Sequence, residues 1–217
     1  FRHLRSGAES GWDFSSRWTK GERLEDIRTT EIIPVDLNCM ICGLETEIDK
    51  SSDLNDTINE LFWNDEKGFY FDYDMENNHQ TDIWSLAGVL PLYYELSSDE
   101  QAEKVKETLE EEFLEKGGLK TTLSRTGMQW DAPSGWAPLH WFAVKGLQNY
   151  GHDELAKEVA KRWTKTCREG FRRSGTLMEK YNVVEPQKNA QDGEYEVQKG
   201  FGWTNGVTIA FMEEFGL

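Results

Sequence analysis

The 217-residue sequence predicts an all-α protein. Three observations carry this reading. Apolar residues return every three or four positions in one segment after another. Helix start and stop signals bracket those segments. Strand-like alternation is nearly absent.

The elements follow in chain order. Asp36, after Pro34, is placed to cap a helix with Leu37, Met40 or Ile41, Leu44 and Ile48 on one stripe. Leu54, Ile58, Leu61 and Phe62 share one face of a second helix. Ile83, Leu86, Val89 and Leu90 make a third, which Pro91 kinks or ends. Ser98-x-x-Gln101 is a capping box, and Ala102, Val105, Leu109 and Phe113 follow at helical spacing. Gly117-Gly118 stops that helix. Pro138 suits the first turn of a helix that runs towards Tyr150-Gly151. Asp153 opens the next, with Leu155, Val159, Trp163 and Cys167 inside. A last helix over 204–215 turns Val207, Ala210, Phe211 and Phe215 inward. Extended pieces are expected only at 69–73, after an Asn64-Asp65-Glu66-Lys67-Gly68 turn, and at 119–124. No short repeat suggests a solenoid. No linker divides the chain, 185–196 reads as one loop, and 1–217 all belongs to one domain.

Composition narrows the function. A hydrophobic fraction of 37% looks thin for a core, but nine Trp, eleven Phe and seven Tyr supply the missing bulk. Each aromatic buries roughly 150–250 Å², and disordered chains lack them. With 24 basic against 40 acidic residues the net charge is -16. That field excludes nucleic acid and anionic membrane surfaces as natural partners. No apolar run approaches the roughly 20 residues needed to span a bilayer. The opening Phe1-Arg2-His3-Leu4-Arg5 has no Met and no signal-like apolar stretch, which reads as part of a longer or processed chain.

Cys39, Cys42 and Cys167 do not form a disulfide framework. Cys39-x-x-Cys42 has no second pair, and His3, His79, His140 and His152 have no ligand spacing, so the thiols read as buried apolar groups on helices and no metal site is expected. Unpaired thiols lean weakly towards a reducing cytoplasm. Asn55-Asp56-Thr57 matches a glycosylation sequon, which matters only in a secreted chain.

Three loop regions break the helical rhythm, and each mixes Trp, Gly and acids. The first is 8–18, which contains Gly11-Trp12-Asp13. The second is Gln129-Trp130-Asp131-Ala132-Pro133-Ser134-Gly135-Trp136-Ala137-Pro138. The third holds Glu179-Lys180-Tyr181, then Gly193-Glu194-Tyr195, then Gly200-Phe201-Gly202-Trp203-Thr204-Asn205-Gly206. Ordinary loops are polar, whereas these carry large apolar rings. One reading is that they plug the ends of a helical core. The other is a sugar site, in which rings pack on the C–H faces of a pyranose and polar groups take its hydroxyls. Glycoside cleavage needs one carboxyl held protonated and a second held ionised. Asp13, Asp131, Glu179 and Glu194 all sit beside aromatics, and spacing alone does not choose between them.

The second loop closely resembles a signature of the trehalases, glycoside hydrolase family 37. The segment 8–18, Pro34-Val35-Asp36-Leu37-Asn38, Glu179-Lys180-Tyr181 and the run from Gly193 to Gly206 are similar to further blocks of that family, in the family's order. The resemblance implies an (α/α)6 barrel that hydrolyses α,α-trehalose to two glucoses with inversion. It implies Asp13 as general acid and Glu179 as general base. By position it implies sugar contacts from the Gly11 main chain, Trp130 and Glu194, with Gln129, Asp131, Phe201 and Trp203 as pocket-wall or supporting residues. No metal or organic cofactor is implied.

The family's Pro-Gly-Gly-Arg-Phe and Arg-Pro-Glu blocks do not occur in this sequence, and about seven helices are expected instead of twelve. The expectation is therefore that 1–217 is the C-terminal portion of a single (α/α)6 trehalase-like catalytic domain, an incomplete barrel completed by a missing N-terminal segment. Two alternatives stay open: a non-catalytic sugar-binding or partner-dependent half-barrel, and a related (α/α)6 glycosidase with another disaccharide substrate.

Overall fold

The computed structural model describes residues 1–21, 23–49, 54–190, 193 and 195–217. Among these, eight α-helices dominate: α1 (Arg2–Glu9), α2 (Val35–Asp49), α3 (Leu54–Phe62), α4 (Leu90–Tyr93), α5 (Asp99–Thr108), α6 (Ala137–Asn149), α7 (Asp153–Ser174) and α8 (Gly202–Phe215). The strands are short: β1 (Ile32–Ile33), β2 (Trp63–Asn64), β3 (Phe69–Tyr70), β4 (Tyr73–Asp74), β5 (His79–Gln80), β6 (Leu114–Glu115), β7 (Gly118–Leu119), β8 (Ser134–Trp136) and β9 (Lys180–Asn182). They pair antiparallel as β1-β4-β5, β2-β3, β6-β7 and β8-β9.

The helices alternate between two rows. α2 packs on α4, α4 on α6, and α6 on α8. Behind them, α3 backs α2, while α7 backs α6 and α8. This is an arc of an (α/α) barrel, and its chemistry follows from the alternation. The loops that lead into α2, α6 and α8 lie together at one end. Trp130 N–H donates to Phe14 C=O at 3.0 Å, which joins the loops before α2 and α6. β8 pairs with β9, which joins the loops before α6 and α8. Among the described residues, no helix is long and apolar enough to cross a membrane.

Most helices form where spacing and caps predict. Ser98 accepts from Gln101 N–H while the Gln101 side chain accepts from Ser98 N–H, so the capping box is closed. Ala102, Val105, Leu109 and Phe113 are all buried beneath it, the last two within a wider π turn. The helix ends there, ahead of Gly117-Gly118, which instead belong to the β6-β7 hairpin. Pro138 sits in the first turn of α6. α7 opens on Asp153 and closes on left-handed Gly175, with Arg172 and Arg173 in its last turn, where the helix dipole favours cations.

Two local expectations are corrected. Pro91 does not end a helix; it sits in the first turn of α4, after a 3₁₀ turn over Leu86–Val89. Proline lacks only an N–H that the first turn leaves unbonded anyway. The stripe on α2 is real but faces outward, with Leu44 62% and Ile48 77% exposed beside Leu37, Met40 and Ile41. The inward face is Val35, Cys39 and Cys42.

The core is aromatic. Trp18, Trp136, Trp163, Phe69, Phe113 and Phe211 are among its largest fully buried side chains.

Candidate active site

The loop before α2 is anchored by two buried carboxylate centres. Arg17, in the 3₁₀ turn over Ser16–Trp18, is completely enclosed. Its Nη1 and Nη2 donate to Asp36 at 2.8 and 2.6 Å, and its Nε and Nη2 donate to Asp72 at 2.5 and 2.7 Å. The guanidinium also lies over the Trp12 and Trp18 rings at 4.6 and 4.5 Å. Although burial alone opposes its charge, the two carboxylates hold Arg17 firmly protonated. Asp131 is the second anchor. It is fully buried and accepts from Ser15 Oγ at 2.9 Å, Ser16 N at 3.0 Å, Ser16 Oγ at 2.9 Å, Thr122 Oγ1 at 3.0 Å and Thr126 Oγ1 at 2.5 Å. Its oxygens are thus engaged by protein donors, in a supporting position behind the site.

Asp13 lies just ahead of these anchors and is half-buried. Burial raises its pKa, opposed by a backbone hydrogen bond, the neighbouring Trp130 side chain and the charge of Lys180. Gln129 donates from Nε2 to the Asp13 carbonyl and accepts at Oε1 from Lys180 Nζ at 2.6 Å. Lys180 Nζ also donates to Glu179 Oε1 at 3.1 Å. A continuous chain of hydrogen bonds therefore joins the Asp13 main chain to the Glu179 carboxylate. Glu179 is fully buried, and among the described residues its Oε2 has no hydrogen-bond partner. The segment around Gln198 covers it, with Glu179 N–H donating to Gln198 C=O at 3.0 Å.

Beside this chain is a cleft of about 260 Å³, lined by Gly11, Trp12, Trp130, Trp203, Asp36 and Met40 among others. That is just below the roughly 300–1,000 Å³ of most ligand sites. Trp130 stacks on Trp136 with centroids 3.9 Å apart and planes 1° apart, and Trp203 meets both edge-on. Gly11 has φ +83, a conformation that glycine adopts freely.

The residues singled out from sequence separate as follows. Gly11, Trp130 and Trp203 line the cleft. Phe201 packs against Trp203 with centroids 4.7 Å apart. Gln129 and Asp131 are buried behind it. Asp13 and Glu179 are brought to one end of the arc and joined through Gln129 and Lys180, although neither lines the cleft. Glu194 lies outside the described residues. Sequence reasoning missed Lys180 and Arg17. The available signal was chemical: a cation inside an aromatic-rich block needs a buried carboxylate.

Among the described residues, no group of three or more His, Cys, Asp or Glu side chains is assembled to hold a metal. Cys39 and Cys167 are inert by position, since burial pushes Cys167 up to about 12 and Cys39 well above its usual value. They therefore say nothing about compartment, and the lean towards the cytoplasm loses its basis.

Comparison with known proteins places this geometry in a family. The family model described as Trehalase matches residues 1–55 and 48–216. Periplasmic trehalases of Salmonella paratyphi B and Salmonella newport are each 41% identical over 98% of this chain, which covers 40% of each relative. The chain thus spans about two fifths of the length of those relatives. Neutral trehalase Nth1 from Saccharomyces cerevisiae superposes with a TM-score of 0.80 at 26% identity, over 97% of this chain and 42% of that one. The GH63 mannosylglycerate hydrolase from Thermus thermophilus, in complex with Tris and D-glycerate, matches in fold alone, with a TM-score of 0.62 at 18% identity over 84% of this chain and 46% of that one. The arc of paired helices is part of an (α/α)6 barrel, and the chain belongs to the trehalase family.

Proposed function

We propose that the chain supplies the acid and base of an enzyme that hydrolyses α,α-trehalose to two glucoses with inversion. The observation that carries this reading is the hydrogen-bonded chain Asp13–Gln129–Lys180–Glu179, which ties two carboxyl residues from opposite ends of the sequence into one site. Asp13 is the acid: burial favours its protonated form, which the donor to a leaving oxygen must have. Glu179 is the base, with Oε2 the oxygen not committed to a described protein donor. Asp13 gives its proton to the glycosidic oxygen as the C–O bond breaks. Glu179 takes a proton from water as that water attacks the anomeric carbon from the opposite face. The attacked sugar leaves as β-glucose and the leaving sugar as α-glucose. Trp130, Trp203 and the Gly11 main chain form the wall on which a pyranose ring packs, with Phe201 behind, and Glu194 is retained as a proposed sugar contact.

The reading extends to a partner. Further helices of the same catalytic barrel cover α2, whose exposed apolar stripe otherwise has no reason to exist. An apolar groove lined by Pro138, Trp141, Phe142, Trp203 and Val207 continues from the cleft across α6 and α8 and takes the same kind of cover. The span of two fifths of the relatives' length supports this.

The test is turnover by the complete polypeptide. Asp13→Asn and Glu179→Gln should each abolish trehalose hydrolysis while leaving the circular dichroism spectrum unchanged. Prompt NMR of the wild-type reaction should show α- and β-glucose in equal amounts; α-glucose alone would mean retention.

The enclosure of Glu179 favours a second reading, in which this chain by itself binds sugar without cleaving it. Assay of the 217-residue chain alone and of the complete polypeptide separates the two.

A further inference from the structure

Lys180 is a lysine with no exposure at all, a placement that is costly unless its charge is compensated. Its surroundings account for it closely. Two of its three N–H groups go to Gln129 Oε1 at 2.6 Å and Glu179 Oε1 at 3.1 Å. The ammonium also lies over the Trp136 ring at 5.2 Å and the Tyr195 ring at 5.7 Å. Its backbone is fixed as well, because Lys180 pairs with Trp136 across the β8-β9 ladder.

Gln129 is equally constrained. Its amide must present oxygen to Lys180 and nitrogen to the Asp13 carbonyl, so the two bonds define each other's orientation. Gly193 gives it room, for a Cβ there would stand 2.6 Å from Gln129 Cβ.

We propose that Lys180 is the positioning residue of the base. It ties down Glu179 Oε1, fixes the carboxylate rotamer and leaves Oε2 as the oxygen that takes the proton from water. Through Gln129 it also sets the carboxylate against the main chain of Asp13. This rests on the acid and base roles given above. It makes two demands. Lys180 does not touch the sugar, so its loss reads in turnover and not in substrate affinity. It acts on the water side of the reaction, so its loss is felt even when the leaving group needs no proton.

The experiment compares trehalose with α-glucosyl fluoride in the complete polypeptide. Fluoride departs without a proton, so its hydrolysis bypasses the acid but still needs the base. Lys180→Met should lower kcat by roughly 100-fold on both substrates, with KM held within about threefold. Asp13→Asn, by contrast, should spare the fluoride far more than trehalose. Should Lys180→Met fail to fold, Lys180→Gln, which keeps a donor, carries the same test.

A Lys180 variant that hydrolyses the fluoride at the wild-type rate, or that raises KM alone, overturns the inference. If Glu179→Gln itself retains turnover, the base assignment falls instead. If Glu179→Gln is inactive while the Lys180 variants are normal, only the role of Lys180 falls.

Discussion

Arg17 and Asp72 form a fully buried two-point ion pair, with Nε to Oδ2 at 2.5 Å and Nη2 to Oδ1 at 2.7 Å, and Asp72 Oδ1 also accepts from Val35 N–H at 2.9 Å. One guanidinium thereby links the loop behind Asp13, the start of α2 and the strand region at Asp72. Arg17→Met leaves Asp36 and Asp72 facing each other without a cation. Breaking such a pair from one side costs about 3–5 kcal/mol. The denaturant midpoint should fall sharply, and a loss below about 1 kcal/mol would show that the pair is solvated in solution.

Asp131→Asn tests the second anchor. The carboxylate accepts from four hydroxyls and one backbone N–H, and an amide would turn an N–H₂ towards some of those donors. A cost of about 1–3 kcal/mol is expected. Because Ser15 and Ser16 follow Asp13 closely, kcat on trehalose should also drop in the complete polypeptide. Thermal melts and initial rates on the same preparation check both effects.

His140 makes stability depend on pH. Its ring is enclosed; Leu119 N–H donates to Nε2 at 2.8 Å, and Nδ1–H therefore donates to Trp136 C=O at 2.8 Å. Burial pushes its pKa down to about 4, although the bond to Trp136 favours the charged form. The unfolded chain, with an ordinary histidine near 6.5, takes the proton first as pH falls. The stability from the neutral ring is complete above about pH 6.5 and is lost progressively towards pH 4, up to about 3 kcal/mol. Urea midpoints measured at about pH 7 and pH 5 should diverge in the wild type, and His140→Gln should remove most of that difference. Equal slopes in both proteins would assign the effect elsewhere.

The outward stripe on α2 offers a test of barrel completion. Leu44→Glu with Ile48→Glu should leave the melting temperature of the 217-residue chain nearly unchanged, since both side chains are already largely in water. The same pair should destabilise the complete polypeptide by several degrees, because two charges would then be placed in a packed seam. Equal, small effects in both would mean that nothing covers α2.

The helices were legible because their signals are local. The capping box at Ser98, the proline at Pro138 and the spacing from Leu155 to Cys167 each act within a turn or two of chain. The direction of the α2 stripe was not legible: periodicity defines a face, while only the neighbours decide whether that face looks inward. The loops that carry the motif blocks lie side by side in the fold, as their shared composition suggested. The bridge through Lys180 stayed hidden, because it depends on a strand pairing between Trp136 and Lys180 that no local pattern encodes.

The two-row alternation of helices also has a practical consequence. The turn between α6 and α7, around left-handed Gly151, lies at the end of the arc remote from Asp13 and Glu179, and Glu154, in the first turn of α7, is exposed beside it. A dye or surface tether introduced at Glu154 should leave trehalose turnover by the complete polypeptide unchanged, giving an immobilised or fluorescent version in which the Asp13 and Glu179 end still faces solution.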